Sequence, residues 1–292
     1  MPAVDAQPAP TAPDNGLIVF ASGSGGNCSL LRVTLEGRPR HYLIDLGLSP
    51  RRTRAALASC GVELGAIDGV FVTHFDSDHC HAGWCTAVEP ALPAHADVFF
   101  HRSHLRRATA VGLQARRLAP FRDGFHTAAG LPVRCAMSSH DSLGAAVFRI
   151  ETPGGTLGFA TDLGRACDTL IGHLRGVDVL AIESNYCPEL ELSSGRPSHL
   201  IERVMGGRGH LSNHECVEAV ARIGPRDHVV LLHLSRECNE PALVRRLHEG
   251  RGYPYTISLQ SEPTGWVTLN RAPATAVRVV PHARVEQGLL FR

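Results

Sequence analysis

Five short apolar runs in this chain each close on an ionisable residue, and that recurrence constrains the fold more than any other feature. The runs are HYLID at 41–45, GVFVTH at 69–74, LGFATD at 157–162, VDVLAIE at 177–183 and HVVLLH at 228–233, ending on Asp45, His74, Asp162, Glu183 and His233. A charged or metal-binding side chain at the end of a buried strand is costly unless something there uses it. With LIVFAS at 17–22 and ADVFFH at 96–101, these runs have the length, β-branched content and Gly or Pro flanks of buried strands. Helical patterns at 49–61, 165–176, 213–224 and 240–250 each end in glycine, a usual helix stop. The alternation predicts an α/β domain with helix-covered sheets. Such sheets gather the C-terminal ends of several strands along one edge, so residues remote in sequence are expected to meet.

The 292 residues allow one large domain or two ordinary ones, and 43% hydrophobic with 20% charged residues describes a globular chain. Residues 1–15, rich in Pro, Ala and Asp, read as a disordered tail, and 16–292 as a single domain. The net charge of +1 selects no polyanionic partner. No apolar run approaches a membrane span and the N-terminus lacks signal-peptide regions, so no membrane partner and a cytoplasmic location are expected. Nine cysteines without a C-x-x-C pair argue against a disulfide framework and a thiolate zinc site. Histidine, at seventeen, is the informative excess.

The densest signal is THFDSDHCHAG at 73–83, which places His74, Asp76, Asp78, His79 and His81 within eight positions. That is metal-ligand chemistry. In an extended segment His74 and Asp76 share a face, while Asp78 and His79 swing to a second site as the chain turns. Here the sequence resembles the metallo-β-lactamase-fold hydrolases, whose signature after a strand is H-x-H-x-D-H. Asp45 in LIDLG, His140 in SSHDS, Asp162 in ATDLG and His233 in LLHLS match that family's further positions in order. More narrowly, SGSGGN at 22–27, IESN at 182–185, GHLSN at 209–213 and HLSRECN at 233–239 look like the YycJ/WalJ group, associated with exonuclease action on double-stranded DNA. The resemblance implies an αββα sandwich of two mixed β-sheets covered by helices.

It also implies a ligand set. One divalent ion would take His74, Asp76 and His140, the other Asp78, His79 and His233, with Asp162 bridging and Asp45 orienting a ligating histidine. The implied activity is dinuclear metal-dependent phosphodiester hydrolysis by a metal-bridging hydroxide, with DNA as substrate and Asp78 and Asp162 among the catalytic residues. Asp76 stands where the family usually has histidine; the added carboxylate lowers the net charge of the centre and is a harder donor, leaving Zn²⁺ and Mn²⁺ as competing occupants. Asn185, Tyr186 and Cys187 depart from the group's N-H-D, and Gly25 replaces a usual serine.

Several residues carry two readings. His210 is either the proton donor to a leaving alkoxide or a helix-entry residue; Ser212 and Asn213 are either phosphate partners or helix caps. Ser24 and Asn27, in a glycine-rich turn, either face a phosphate or simply link strands. His81 is read as a surface residue or one behind the ligands. Six arginines between 102 and 122 (Arg102, Arg106, Arg107, Arg116, Arg117, Arg122) form either a DNA-tracking cluster or a solvated face. The alternative function keeps the metal site but takes a small phosphodiester, thioester or lactone. A third reading, a regulatory protein that has lost its metals through Asp76, is opposed by the other ligands being present.

Overall fold

The computed structural model describes residues 12–85, 91–113 and 117–270. The expected N-terminal tail falls largely at 1–11, and Arg116 at 116; both lie outside the described residues. Fourteen strands occur in it: β1 (Gly16–Ala21), β2 (Cys28–Leu35), β3 (Arg38–Ile44), β4 (Gly69–Val72), β5 (Asp97–His101), β6 (Leu118–Phe121), β7 (Gly124–His126), β8 (Pro132–Met137), β9 (Ala146–Thr152), β10 (Gly155–Ala160), β11 (Val179–Glu183), β12 (His228–Leu232), β13 (Tyr255–Ile257) and β14 (Val267–Thr268). The helices are α1 (Pro50–Ser59), α2 (Leu105–Val111), α3 (Asp168–Leu174), α4 (Pro188–Leu192), α5 (Ser198–Arg203), α6 (Asn213–Ile223) and α7 (Pro241–His248).

The strands form two seven-stranded sheets, ordered β14-β1-β2-β3-β4-β5-β6 and β13-β12-β11-β10-β9-β8-β7. Both are mixed: three antiparallel junctions, then three parallel ones from β3 to β6 and from β10 through β11 and β12 to β13. Alternation along the strands sends one set of side chains into a core shared by the sheets, including Tyr42, Phe71, Phe148, Phe159 and Val230. The opposite set packs outward. Ile18, Leu43 and Val70 lie in one cluster with Leu57 of α1, whereas Leu180, Ile182 and Leu231 lie with Leu170 of α3 and Val220 of α6. The order helix, sheet, sheet, helix is the expected αββα sandwich.

The parallel junctions position the site. β3 and β4 run the same way, as do β10, β11 and β12, so the ends of these strands open on one edge of each sheet. The chain turns sharply there. Asp45, Asp162 and His233, each directly or almost directly after its strand, hold φ of 63°, 55° and 57°. The left-handed region is unfavourable for such residues and is kept where the surroundings demand it.

Candidate metal centre

The strand-end residues converge. Within donor-atom separations of 4.8 Å, one group joins His74, Asp76 and His140, a second joins Asp78, His79 and His233, and a third joins His74 and His79 with Asp162. All seven expected ligands are thus in one place. Asp162 lies between the two groups: Oδ2 is 3.0 Å from His79 Nε2, and Oδ1 is 3.7 Å from both His140 Nε2 and His233 Nε2. Asp76 divides its carboxylate, with Oδ2 3.8 Å from His74 Nε2 and Oδ1 3.7 Å from the Arg107 guanidinium.

Each histidine is aimed by what its Nδ1 meets. His79 Nδ1 lies 2.7 Å from Asp45 Oδ2, and Asp45 Oδ1 accepts the Thr73 backbone N–H at 2.7 Å. The Thr73 hydroxyl also sits 3.1 Å from His74 Nδ1. His140 Nδ1 donates to the Gly209 carbonyl at 2.8 Å. His233 Nδ1 lies 2.9 Å from the Asn185 amide nitrogen and 3.5 Å from Glu183 Oε1. For His74, His79 and His140 an oxygen at Nδ1 leaves Nε2 as the inward-facing atom, the orientation that a metal ligand needs, whereas His233 Nδ1 faces both an amide donor and a carboxylate. Close backbone approach is also required. A side chain on Gly47 would run into the Asp78 carbonyl, and one on Gly164 into the Ser139 carbonyl, so glycine lets the ligand loops meet.

The electrostatics test the fit to cations. Burial opposes charge on His79 and His233, yet Asp162 with Asp45 holds His79 well above the usual range, and Asp162, Asp78 and Glu183 push His233 up to about 10. Burial likewise opposes ionisation of Asp162, but His233 and His79 hold it well below the usual carboxylate range. Carboxylates that keep buried imidazoles protonated form a site that demands positive charge, and divalent ions on this donor set satisfy that demand. The residues present fit such ions.

Beside this centre, His210 Nδ1 meets Glu183 Oε1 at 2.7 Å, and Glu183 Oε2 accepts backbone N–H groups from Leu163 at 2.6 Å and Leu211 at 3.2 Å. Burial lowers the basicity of His210, but Glu183 outweighs it and raises the pKa. The strand-end pattern singled out Glu183 without assigning it this part. The other expected residues divide between packing and the edge of the centre. Ser212 caps α6 through a capping box with Glu215, and Asn213 is buried against Ser184 and Asn239, so neither side chain is free for a phosphate. Asn27 turns inward, its amide nitrogen 2.9 Å from His79 Nε2, whereas Ser24 lines a hollow with His210, His233, Arg196 and Arg203. His81 is exposed and caps a short 3-10 turn by accepting from Gly83 N–H. His104 is buried and lines, with His74 and Asp76, a hollow of about 230 Å³.

A family model described as the beta-lactamase superfamily domain matches residues 40–234, the stretch holding every expected ligand. The chain belongs to the beta-lactamase superfamily. Within it, the chain is similar to exodeoxyribonuclease WalJ of Streptococcus pneumoniae (serotype 2, strain D39), 27% identical over 224 residues, covering 76% of this chain and 82% of that protein. It is also similar to exodeoxyribonuclease YycJ of Bacillus anthracis, 26% identical over 229 residues, covering 78% and 85% respectively. Among solved structures, Zn²⁺-bound PqqB of Methylobacterium extorquens superposes with a TM-score of 0.63 at 18% identity, covering 85% of this chain and 99% of that one. A diphosphatase from the PhnP family gives 0.62 at 15% identity, covering 87% and 98%. Both establish the metallo-β-lactamase fold for this superfamily member. It is a hydrolase by family. No helix among the described residues is long and apolar enough to cross a membrane.

Proposed function

We propose that this chain is a two-metal phosphodiester hydrolase that acts on DNA as an exonuclease. The observation that carries the reading is Asp162, one buried carboxylate standing between two donor groups, with the His210–Glu183 pair alongside. His74, Asp76 and His140 would hold one divalent ion, Asp78, His79 and His233 the other, with zinc and manganese competing for the places. When bound, the ions supply Lewis acidity to a phosphoryl oxygen and lower the pKa of a water that serves as nucleophile.

The protein's own groups do the rest. Asp162 and Asp78 fix the separation of the two donor groups, while Asp45, Thr73 and the Gly209 carbonyl keep the imidazoles from rotating. His210 engages Glu183 through Nδ1, so Nε2 is the atom that gives a proton to the leaving oxygen, and the carboxylate behind it keeps the ring charged until then. DNA as substrate is supported by the exodeoxyribonuclease relatives. Nine free cysteines suit a reducing compartment such as the cytoplasm.

The test is digestion of end-labelled duplex DNA with Mn²⁺ and Zn²⁺ side by side, across a salt series. Progressive shortening from an end, weakening steeply as salt rises, is expected. Turnover of a small phosphodiester, thioester or lactone with no DNA cleavage under either metal would replace this reading with the small-molecule one, which the net charge of +1 favours.

A further inference from the structure

Two hollows adjoin the metal centre and share Asp141 and Ser142. The first, about 230 Å³, is lined by His74, Asp76, His140 and Arg107 among others; the second, about 710 Å³, by His199, Glu202, Arg203 and Arg208. Between them stands the loop that carries His140. Resting on the reading of the chain as a DNA hydrolase, we propose that Arg107 and Arg208 form a track that holds the phosphodiester backbone of the DNA strand on either side of the bond being cut.

The choice of these two arginines follows from what each guanidinium already holds. Arg203 donates from Nε and Nη2 to Asp141 at 3.0 and 2.6 Å, and Arg196 is shared between buried Glu191 and Glu237. Both are committed to structure. Arg208 is exposed, and among the described residues its guanidinium enters no ion pair; its carbonyl accepts the Asp141 N–H at 2.9 Å. Arg107 has one long ion pair, to the outward oxygen of Asp76 at 3.7 Å, and is half exposed. An exposed pair at that distance holds the arginine weakly.

The surroundings suit a polyanion in spite of the carboxylates present. Asp141 is neutralised by Arg203, and Asp76 faces His74 with its other oxygen. Glu202 is the remaining acidic side chain in the lining. The segment bearing Arg208 is also fixed to the ligand loop. The Gly207 carbonyl accepts the Ser139 hydroxyl at 3.2 Å, and the Gly209 carbonyl accepts His140 Nδ1–H at 2.8 Å. The guanidinium therefore springs from backbone held in register with a metal ligand, so a phosphate on Arg208 is placed relative to the reacting one. Arg107, at the start of α2, sits on the other side of His140. Neither position reads base edges, so the contacts are independent of DNA sequence.

The experiment uses the metal-loaded full chain and a short fluorescein-labelled duplex with phosphorothioate linkages, following anisotropy across a salt series. Arg107→Ala and Arg208→Ala are each expected to weaken binding several-fold at low salt and to lower the slope of log affinity against log salt by about 1. Arg208→Lys should keep the slope. Arg54→Ala, in a separate hollow behind α1, should match the wild type. Metal content and thermal unfolding of each variant establish that the centre is intact. The track is overturned if the wild type binds with a normal salt slope and both alanine variants, with their metals, bind equally well. Absence of binding by the wild type overturns the DNA reading itself, together with the track.

Discussion

Asp45 and His79 are bound side chain to side chain at 2.7 Å, both buried, Asp45 directly after β3 and His79 in the turn that follows β4. Burial pushes the Asp45 pKa up, and His79 and Thr73 only partly offset it. The pair therefore depends on its internal partners rather than on water. Asp45→Ala frees the His79 ring and leaves the Thr73 N–H without its acceptor. A loss of about 10- to 100-fold in metal affinity is expected, because orienting partners of ligating histidines contribute on that scale. Metal titration against a competing chelator measures it; unchanged affinity would mean that His79 is held in place without the carboxylate.

Metal uptake should release protons. The His233 pKa is raised from the usual 6.5 to about 10, so the stabilisation it draws from its carboxylates is fully present below 6.5 and is lost as pH rises through about 10. Between those limits a divalent ion must displace the proton, and the same holds for His79, whose pKa is also raised. Affinity is thus expected to increase with pH across this window. Calorimetric titration of metal into chelator-stripped protein, in two buffers of different ionisation enthalpy, should give different apparent heats. Equal heats would show that no proton leaves.

Much of this centre is legible in the sequence because a strand end fixes position and direction together. Asp45, His74, Asp162 and His233 each follow an apolar run that reads as a buried strand, and parallel pairing then carries them to one edge. What supports them is less visible. The Gly209 carbonyl that orients His140 is backbone, and it follows a kinked turn at Val204–Arg208 in which Gly207 holds φ 78°. Gly206 and Gly207 mark a turn, but nothing in their type says that a carbonyl beyond it meets His140. Ser212 shows the opposite case: S-N-H-E at 212–215 spells a capping box, and Ser212 forms it with Glu215. The strands β6 to β8 are short or partly exposed, and polar residues such as Arg134 in β8 and Arg149 in the largely buried β9 interrupt the apolar pattern.

Asp76→His should move metal preference toward zinc while hydrolysis persists. Asp76 contributes one oxygen toward His74, and imidazole in its place is a softer donor that also removes a negative charge. Metal content after equilibration with equal zinc and manganese gives the answer. A variant with the wild-type ratio would show that Asp76 does not set the selectivity.

Asp162→Ala removes the one carboxylate placed between both donor groups. Activity is expected to fall to background and metal content to drop below that of Asp76→His, since neither group retains its shared oxygen. Measured turnover near the wild-type rate, with metals bound, would contradict the shared role of this residue.

Glu183→Gln tests the proton donor. In the wild type the carboxylate binds His210 Nδ1 at 2.7 Å and raises its pKa, outweighing burial, so the ring stays protonated to higher pH than a free histidine. The amide keeps the size and can still accept the Leu163 and Leu211 N–H groups, so the fold and metal content should survive. Without the negative charge, however, His210 loses its proton at lower pH. The alkaline limb of the pH–rate profile should therefore move to lower pH, and the rate near neutrality should fall by about 100-fold, the low end for a positioned acid. DNA carrying a better leaving group at the scissile bond should recover much of that loss, because it needs no proton from His210. A uniform drop with both substrates and an unmoved profile would assign Glu183 to packing alone.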